Sequence, residues 1–151
     1  MVKKTLILII IFLWGQSLTA CNWFSINNEV HNNDWSYKLP NKYEINHINS
    51  REIICGKRET EHSSSIIIDR YVTEFCFSNQ FVSLKCVDVP QDLSEEINRS
   101  DPDYYIIDTV NNATYGPFDE RRYSEEIEEL NVTGLSAWVK TYPRPEGAVF
   151  T

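Results

Sequence analysis

Glycine is scarce in this chain, with only five glycines among 151 residues. Phosphate-binding loops depend on several closely spaced glycines, so a nucleotide-binding loop of that kind is excluded. Histidine is scarce as well. His31, His47 and His62 are too far apart for a typical metal motif, whose ligands lie a few residues from one another. The sequence therefore predicts no metal site and no cofactor.

Cysteine is present, but no two cysteines have the C-x-x-C spacing of redox motifs and zinc knuckles. Besides Cys21 the chain contains Cys55, Cys76 and Cys86. In an oxidising compartment these three can form one disulfide and leave one free thiol. Burial as three small apolar side chains explains them equally well, and the sequence leaves the pairing open.

Catalytic motifs are also missing. Ser136 lies in the stretch GLSAW, which lacks the second glycine of a G-x-S-x-G nucleophile elbow. The segment that starts at Asp101 begins like a calcium loop but has no glycine at its sixth position and no glutamate at its twelfth. We therefore predict that the protein is not an enzyme. The alternative is a hydrolase whose catalytic residues are far apart in sequence and come together only in the folded protein.

The longest hydrophobic run is too short to span a membrane. It covers the nine residues from Leu6 to Trp14, whereas a transmembrane helix needs about 20. Lys3 and Lys4 precede the run, and small or polar residues follow it. This order of charge, apolar core and small residues predicts a signal peptide over residues 1–20.

The end of that segment, Leu18-Thr19-Ala20-Cys21, resembles the lipobox of bacterial lipoproteins. By this resemblance the first three residues are recognised by the signal peptidase, and Cys21 becomes the N-terminus and carries fatty acyl chains such as palmitate. Two or three chains make a nearly permanent anchor, since one chain alone binds weakly. A plain secretory signal is the alternative, although Leu18 fits the A-x-A cleavage pattern poorly.

The residues after Cys21 indicate where the protein is delivered. An Asp at the next position tends to retain lipoproteins in the inner membrane, so Asn22 favours the outer membrane or cell surface. The rest of the segment 21–34 is polar and rich in asparagine, which predicts a tether.

The chain from Cys21 onward is strongly acidic. It has 12 basic and 22 acidic residues, a net charge of −10, because the signal peptide removes two lysines and no acid. Nucleic acids and anionic headgroups favour basic surfaces, so neither is expected to bind. If the charge serves to select a partner, that partner is a basic protein. The simpler explanation is that the charge keeps the protein soluble.

Alternating apolar residues and turn residues predict a single β-rich domain over residues 35–142. About five to seven short antiparallel strands are expected, with a hairpin turn at Ser78 to Gln80 and a surface loop from Pro90 to Asp103. The predicted strands lie within Trp35–Ile45, Glu52–Lys57, Ser65–Phe77, Phe81–Val89 and Tyr104–Asp108. The third segment is one long strand or two with a break at Asp69-Arg70, and Leu135–Tyr142 is a last strand or a short helix.

One helix is predicted to begin after Asp119, whose carboxylate can accept from the free amides of the first turn. Phe118 and Tyr123 fit a hydrophobic staple around this cap, and Gly134 lies past the expected end. The predicted fold class is therefore α+β, a mainly antiparallel β-sheet with one C-terminal helix packed on it. A disordered tail is expected over residues 143–151.

Two glutamates near the end of this helix, Glu128 and Glu129, have no arginine four residues earlier. They lie at the negative end of the helix dipole, where an anion costs about 0.3–1 kcal/mol. A solvated helix face explains them. The alternative is an acidic edge that binds a partner.

Three segments together resemble a known family. They are YKLPNKYEI near the start of the domain, the hairpin EFCFSNQFVSLK, and YYIIDTVNNATYGPFDERRY with the acidic helix after it. This arrangement resembles the bacterial domain-of-unknown-function family numbered 3997, over about Trp35 to Leu135. Its most specific residues are Tyr105 to Asp108 and Tyr115 to Pro117.

Two features depart from the family pattern: the central loop around Pro90 to Asp103 is long, and one residue differs. A glycine commonly follows the Pro-Asn pair of the first segment, whereas this chain has Lys42 there. Asn41 can supply the left-handed turn residue in its place. The resemblance implies a fold and an envelope location, but no activity and no catalytic residues.

These observations favour a lipid-anchored cell-envelope protein with a non-catalytic binding domain. The alternative is an acidic inhibitor or immunity-type protein that neutralises a basic toxin or lysozyme. A structural role in the envelope fits the same residues as the first hypothesis.

Overall fold

The structure is a computed structural model that describes residues 34–151. The predicted signal peptide (1–20), the lipobox residues Leu18, Thr19, Ala20 and Cys21, and the predicted tether up to residue 33 lie outside those residues. Within the described part, no helix combines the length and the apolar character needed to cross a bilayer. The N-terminal interpretations therefore stay predictions.

Ten antiparallel strands of residues 34–151 form two five-stranded sheets. Sheet 1 has the order β10-β1-β2-β3-β4, and sheet 2 has the order β8-β7-β6-β5-β9. The strands are β1 (Trp35–Lys38), β2 (Tyr43–Asn49), β3 (Glu52–Thr60), β4 (Ser63–Ile68), β5 (Tyr71–Phe77), β6 (Phe81–Val87), β7 (Asp103–Asp108), β8 (Ala113–Phe118), β9 (Val139–Lys140) and β10 (Val149–Phe150).

The antiparallel architecture with one helix agrees with the predicted fold class, but the number of strands is higher than the five to seven expected. Strand β9 lies within Leu135–Tyr142, which was predicted as a last strand or a short helix. Strand β10 has only two residues, which is too short for an alternating pattern. Strand β8 contains Gly116 and Pro117, which are uncommon inside strands and indicate a turn. Local sequence therefore gave too few signals for β8 and β10.

The end of the chain connects the two sheets. After β9 pairs with β5, the chain continues to β10, which pairs with β1 through Trp35–Phe150 and Ser36–Val149. A disordered tail was predicted over 143–151, whereas the structure places part of it in a strand. The pairing partner lies more than 110 residues earlier in the chain, so the local sequence does not reveal it.

The main hydrophobic core lies between the two sheets. Ile45 and Ile53 of sheet 1 and Val72, Phe75 and Leu84 of sheet 2 are almost completely buried there. They come from the apolar runs and alternations from which the strands were predicted. Each such side chain contributes about 1.5–3 kcal/mol on burial.

A second, smaller core lies between sheet 2 and the helix α1 (Glu120–Glu129). Phe81 and Ile106 of the sheet pack there with Tyr123 and Ile127 of the helix. Sheet 2 is thus covered on both faces. This explains why the first four residues of β6 are all buried, where an alternation of buried and exposed residues was expected.

The start of α1 agrees with the sequence prediction. The Asp119 carboxylate accepts a hydrogen bond of 2.7 Å from the backbone amide of Arg122. Phe118 and Tyr123 both pack in the second core, as a hydrophobic staple requires. The cap residue and the staple together set the direction in which the chain enters the helix.

Helix α1 ends before Gly134, as predicted, but another residue terminates it. The left-handed residue that terminates the helix is Asn131, with φ 51°, and Gly134 comes three residues later. The amides of Asn131 and Val132 donate to the carbonyls of Glu128 and Ile127, at 3.1 and 2.9 Å. This is a Schellman motif with its usual apolar contact, since Val132 packs in the second core.

The turn between β1 and β2 contains two left-handed residues in succession. Asn41 has φ 55°, as predicted, and Lys42 has φ 70°. Lys42 is exposed. A side chain in this conformation costs about 1–2 kcal/mol, and glycine avoids that cost.

Replacing Lys42 with glycine should therefore stabilise the protein. We expect Lys42→Gly to raise the free energy of unfolding by about 0.5 kcal/mol, because glycine's larger entropy in the unfolded chain offsets part of the relieved strain. Urea unfolding followed by circular dichroism measures the change. Lys38→Gly, at an exposed position of β1, is the control and should destabilise. Equal losses in both variants would contradict the prediction.

Candidate functional site

The most specific residues of the family resemblance lie in the hairpin formed by β7 and β8, and their contacts are structural. Asp108, at the end of β7, is 6% exposed. Its carboxylate accepts from the amides of Val110 and Asn111 at 3.0 Å, and from the side chains of Asn111 and Gln80 at 2.8 and 3.1 Å. It thereby fixes the β7–β8 turn and ties it to the β5–β6 turn.

These hydrogen bonds also set the charge of Asp108. Burial alone would raise its pKa, but the donors from Asn111, Gln80 and Val110 outweigh burial and hold the pKa below its usual value. The carboxylate is therefore an ionised structural acceptor at neutral pH. A general acid would need the opposite shift.

Gly116 in β8 has an equally structural role. Its φ of +116° is rarely adopted by other residues, and a Cβ at this position would lie 2.6 Å from the carbonyl oxygen of Tyr104. The register between β7 and β8 shifts so that Gly116 and Pro117 lie opposite the single residue Tyr105, and this glycine is therefore part of a bulge in β8. The strands approach each other this closely only because no side chain is present.

The two sheets are joined by polar contacts at the same end of the sandwich. The Asn41 amide in the β1–β2 turn donates to the Thr109 hydroxyl at 2.8 Å, and that hydroxyl donates to the carbonyl of Gln80 at 2.5 Å. The Tyr43 hydroxyl donates to the Asn112 side chain at 3.4 Å. The Pro-Asn turn and the Asp-Thr-Val-Asn-Asn segment thus belong to one network that fastens sheet 1 to sheet 2.

A different part of the domain offers a concave surface. We call it the loop cleft: an open cleft of about 510 Å³ lined by the β2–β3 turn, the β4–β5 corner and the start of the loop after β6. Its charged lining residues are Arg51, Glu52, Asp69, Arg70 and Asp88.

One wall of the loop cleft is the central loop, residues 88–102, which joins β6 to β7 without regular secondary structure. Loops of this length inside a domain are uncommon and are usually functional or disordered. This one is held by Arg51, whose guanidinium donates to the carbonyls of Pro90, Asp92 and Glu95 at 2.6, 3.3 and 3.0 Å. The Asp92 carboxylate further accepts from the amide and hydroxyl of Ser94.

The second cation of the loop cleft, Arg70, is bound to acids of the second sheet and the central loop. It forms ion pairs with Asp88, at 2.9 Å, and with Asp103, and it donates to the Tyr105 hydroxyl at 3.3 Å. Burial alone would lower its pKa, but the hydrogen bonds to Tyr105 and Asp103 and the charge of Asp88 raise it further. Arg70 is therefore permanently charged and already neutralised by carboxylates.

The described cysteines are buried thiols. Cys55, Cys76 and Cys86 are all free, which favours the second of the two sequence interpretations over a disulfide among them. Burial raises the pKa of Cys76 to about 11 and that of Cys86 to about 12, and it raises the pKa of Cys55 as well. Nucleophilic cysteines have lowered pKa values, so these three are packing residues.

The predicted docking residues at the end of α1 have different surroundings. Glu129 was expected to lack a partner, but Arg122 reaches it across two helical turns at 3.2 Å, while also pairing with Glu125 and Glu126. The hydrogen bonds with Glu129 and Glu125 are the main cause of a raised pKa of Arg122. Glu128 is exposed and has no ion-pair partner among residues 34–151. Neither glutamate lines the loop cleft.

Histidine and acidic side chains do not converge on a metal position in the described part of the chain, where no group of three or more His, Cys, Asp or Glu has that arrangement. His47 stacks on Trp35 with 5.4 Å between the ring centroids, and His62 lies in the exposed β3–β4 turn. His31 lies outside the described residues.

The sequence interpretation did not identify the loop cleft. Its residues come from separate segments of β2–β3, β4–β5 and β6–β7, and no motif joins them. The one signal was the length of the central loop, which the family resemblance had marked as unusual.

The comparisons with known proteins agree with the resemblance. No curated protein and no solved structure matches the chain. One family model matches residues 40–136, more than half of the sequence, from the Pro-Asn turn to the segment after α1. The chain therefore belongs to the family described as Protein of unknown function (DUF3997).

Proposed function

We propose that this protein is a lipid-anchored component of the bacterial cell envelope whose domain binds a partner without catalysis. The proposed anchor is Cys21, after recognition of Leu18, Thr19 and Ala20 and removal of residues 1–20. Asn22 supports delivery to the outer membrane or cell surface. The polar segment 21–34 then holds the domain close to the lipid.

The loop cleft is the observation that carries the binding role. A 15-residue loop is fixed by Arg51 through three backbone carbonyls, and only Val89 and Ile97 of the loop pack against the main core. Ordering a loop of that length is costly in conformational entropy, and an unused loop would be free to shorten. A preformed concave surface on a rigid sandwich is the usual setting of a binding site.

The contacts of the family residues support a role without catalysis. Asp108 and Gly116 are used to build the β7–β8 hairpin, and Asn41 with Thr109 joins the sheets. The titratable groups of the described domain that depart most from their usual pKa are buried thiols, the buried phenol of Tyr123 and the ion-paired Arg70. All of these pKa values are raised, and none provides an acid or base near pH 7.

A second candidate is an acidic inhibitor or immunity-type protein directed at a basic toxin or lysozyme. It is favoured by the net charge of −10 after the signal peptide and by the exposed Glu128. Binding of this kind weakens steeply as ionic strength rises. A deletion strain with unchanged sensitivity to such basic proteins would contradict it.

The anchor is tested by the intact mass of the membrane-extracted protein. We expect a chain that begins at Cys21 and is heavier by two or three acyl chains, and we expect Cys21→Ser to lose that mass and leave the membrane fraction. Cys76→Ala is the matched control, because it changes a core cysteine and should keep the acyl mass. An unmodified wild-type chain in the medium would overturn the anchor.

A further inference from the structure

We infer that the loop cleft binds a basic side chain, arginine or lysine, presented by a partner polypeptide. This inference rests on the proposed binding function and names the chemistry of its ligand. It follows from the hydrogen bonds and ion pairs that already occupy both arginines of the loop cleft, from the free acceptor positions of its carboxylates, from its apolar wall, and from the fixed geometry of the central loop.

The cations of the loop cleft already donate to groups of the domain itself. Arg51 donates to three carbonyl groups, and Arg70 is bound to Asp88, Asp103 and Tyr105. The one Arg70 donor without a partner, Nε, is buried. An anion would have to displace the contacts of the other donors, so the loop cleft does not recognise its ligand through positive charge.

The carboxylates of the loop cleft still have free hydrogen-bond acceptor positions. Asp69 is exposed at the β4–β5 corner and has no ion-pair partner among residues 34–151. The Asp88 carboxylate contacts Arg70 through one oxygen and has 89% of its side chain exposed. Glu52 accepts one hydrogen bond, of 3.0 Å, from Asn49. Carboxylates with free acceptor positions around a cleft match the several donors of a guanidinium or ammonium group.

An apolar wall stands beside these acids. Val89, Pro90 and Leu93 of the central loop line the cleft, and Leu93 is 81% exposed. A basic side chain packs its methylene stem on apolar surface while its charged head reaches polar groups. Apolar residues next to free carboxylates thus fit both parts of arginine or lysine.

The geometry of this wall is fixed before a ligand arrives. Arg51 holds the loop from the β2–β3 side, and the Asp92–Ser94 turn, with hydrogen bonds of 2.7 and 2.8 Å, holds it internally. A preformed site avoids the entropy cost of ordering a loop on binding. The net charge of −10 also attracts basic partners over distances of about 10 Å.

The test is an NMR titration of the purified ¹⁵N-labelled full chain in detergent micelles with a blocked glycine pentapeptide that contains two arginines. The same peptide with citrulline, a neutral isostere of arginine, is the ligand control. We expect saturable shifts of the amides of Asp69, Arg70 and Val89 with the arginine peptide and none with citrulline. Equal shifts with both peptides would overturn the inference.

Two variants separate the loop cleft from the general acidity of the surface. Asp69→Asn should weaken binding about fivefold to tenfold. Glu128→Gln removes the same charge from α1 and should change the affinity less than twofold. Leu93→Ala should weaken binding about threefold through loss of the apolar wall. If Asp69→Asn and Glu128→Gln have equal effects, the binding is non-specific and the inference is wrong.

The outcomes distinguish this inference from the proposed anchor. A chain that carries acyl groups but does not bind the arginine peptide overturns the inference and leaves the anchor. A chain without acyl groups that binds the peptide through Asp69 overturns the anchor and supports the inference.

Discussion

Replacing Gly116 with alanine is expected to lower the free energy of unfolding by about 3 kcal/mol. The alanine Cβ would lie 2.6 Å from the carbonyl oxygen of Tyr104 and 3.2 Å from the Cα of Tyr105, and both are backbone atoms of the neighbouring strand. Backbone atoms of β7 cannot move aside without losing their pairing with β6. The backbone at φ +116° adds strain for any residue with a side chain.

Thermal unfolding measures this effect, with an expected decrease of the melting temperature of about 10 °C. Gly134→Ala is the matched control. Gly134 also has a positive φ, of +71°, but no atom lies within 4 Å of a Cβ built there. It should lose only about 1 kcal/mol. Equal losses at the two glycines would mean that backbone conformation, and not contact with β7, explains the glycine in the Tyr-Gly-Pro segment.

The parts of the fold that local patterns determine could be predicted from the sequence. The hairpin of β5 and β6 with its Ser-Asn-Gln turn was predicted because both strands are apolar and β-branched or aromatic. Helix α1 was predicted at its start because Asp119 and the staple residues lie within one turn of each other. Such features depend on residues a few positions apart.

The features that sequence reasoning missed depend on residues far apart. Pairing of β10 with β1 joins Phe150 to Trp35, and the second core buries one face of β6 under a helix that follows two strands later. Arg122 reaches Glu129 because its side chain is long and both lie on one helix face, a contact beyond the usual four-residue spacing. The first two are tertiary contacts, and the third exceeds the spacing at which helical ion pairs are usually predicted.

The candidate site also contains residues that a sequence pattern could identify and residues that it could not. The residues on which the family resemblance rested, such as Asp108 and Gly116, form a turn and a bulge, so the resemblance indicates a fold and no activity. The residues of the loop cleft, Arg51 and Asp69 among them, are scattered in sequence and form no motif. The signal that points to them is physical, because a long loop is ordered at an entropy cost that its two core contacts, Val89 and Ile97, offset only in part.

The second large effect is expected at Asp108. Its carboxylate accepts four hydrogen bonds inside the domain, from Val110, Gln80 and twice from Asn111. Asp108→Asn replaces one acceptor oxygen with a donor that faces other donors, and it removes the charge that strengthens the remaining bonds. We expect a loss of about 2 kcal/mol at pH 7, measured by urea unfolding. Asp101→Asn, at an exposed position, is the control and should stay within about 0.5 kcal/mol.

The loss at Asp108 should depend on pH with a defined sign. The pKa of Asp108 is lower in the folded protein than its ordinary value near 3.9, since hydrogen bonds from Asn111, Gln80 and Val110 outweigh burial. A lowered folded-state pKa contributes stability above the unfolded pKa, and this stability is lost as the pH falls through the folded value. The difference between wild type and Asp108→Asn should therefore be constant from about pH 7 to pH 5 and decrease below pH 4. A difference that stays constant down to pH 2 would mean that shape, and not the ionised carboxylate, fixes the β7–β8 turn.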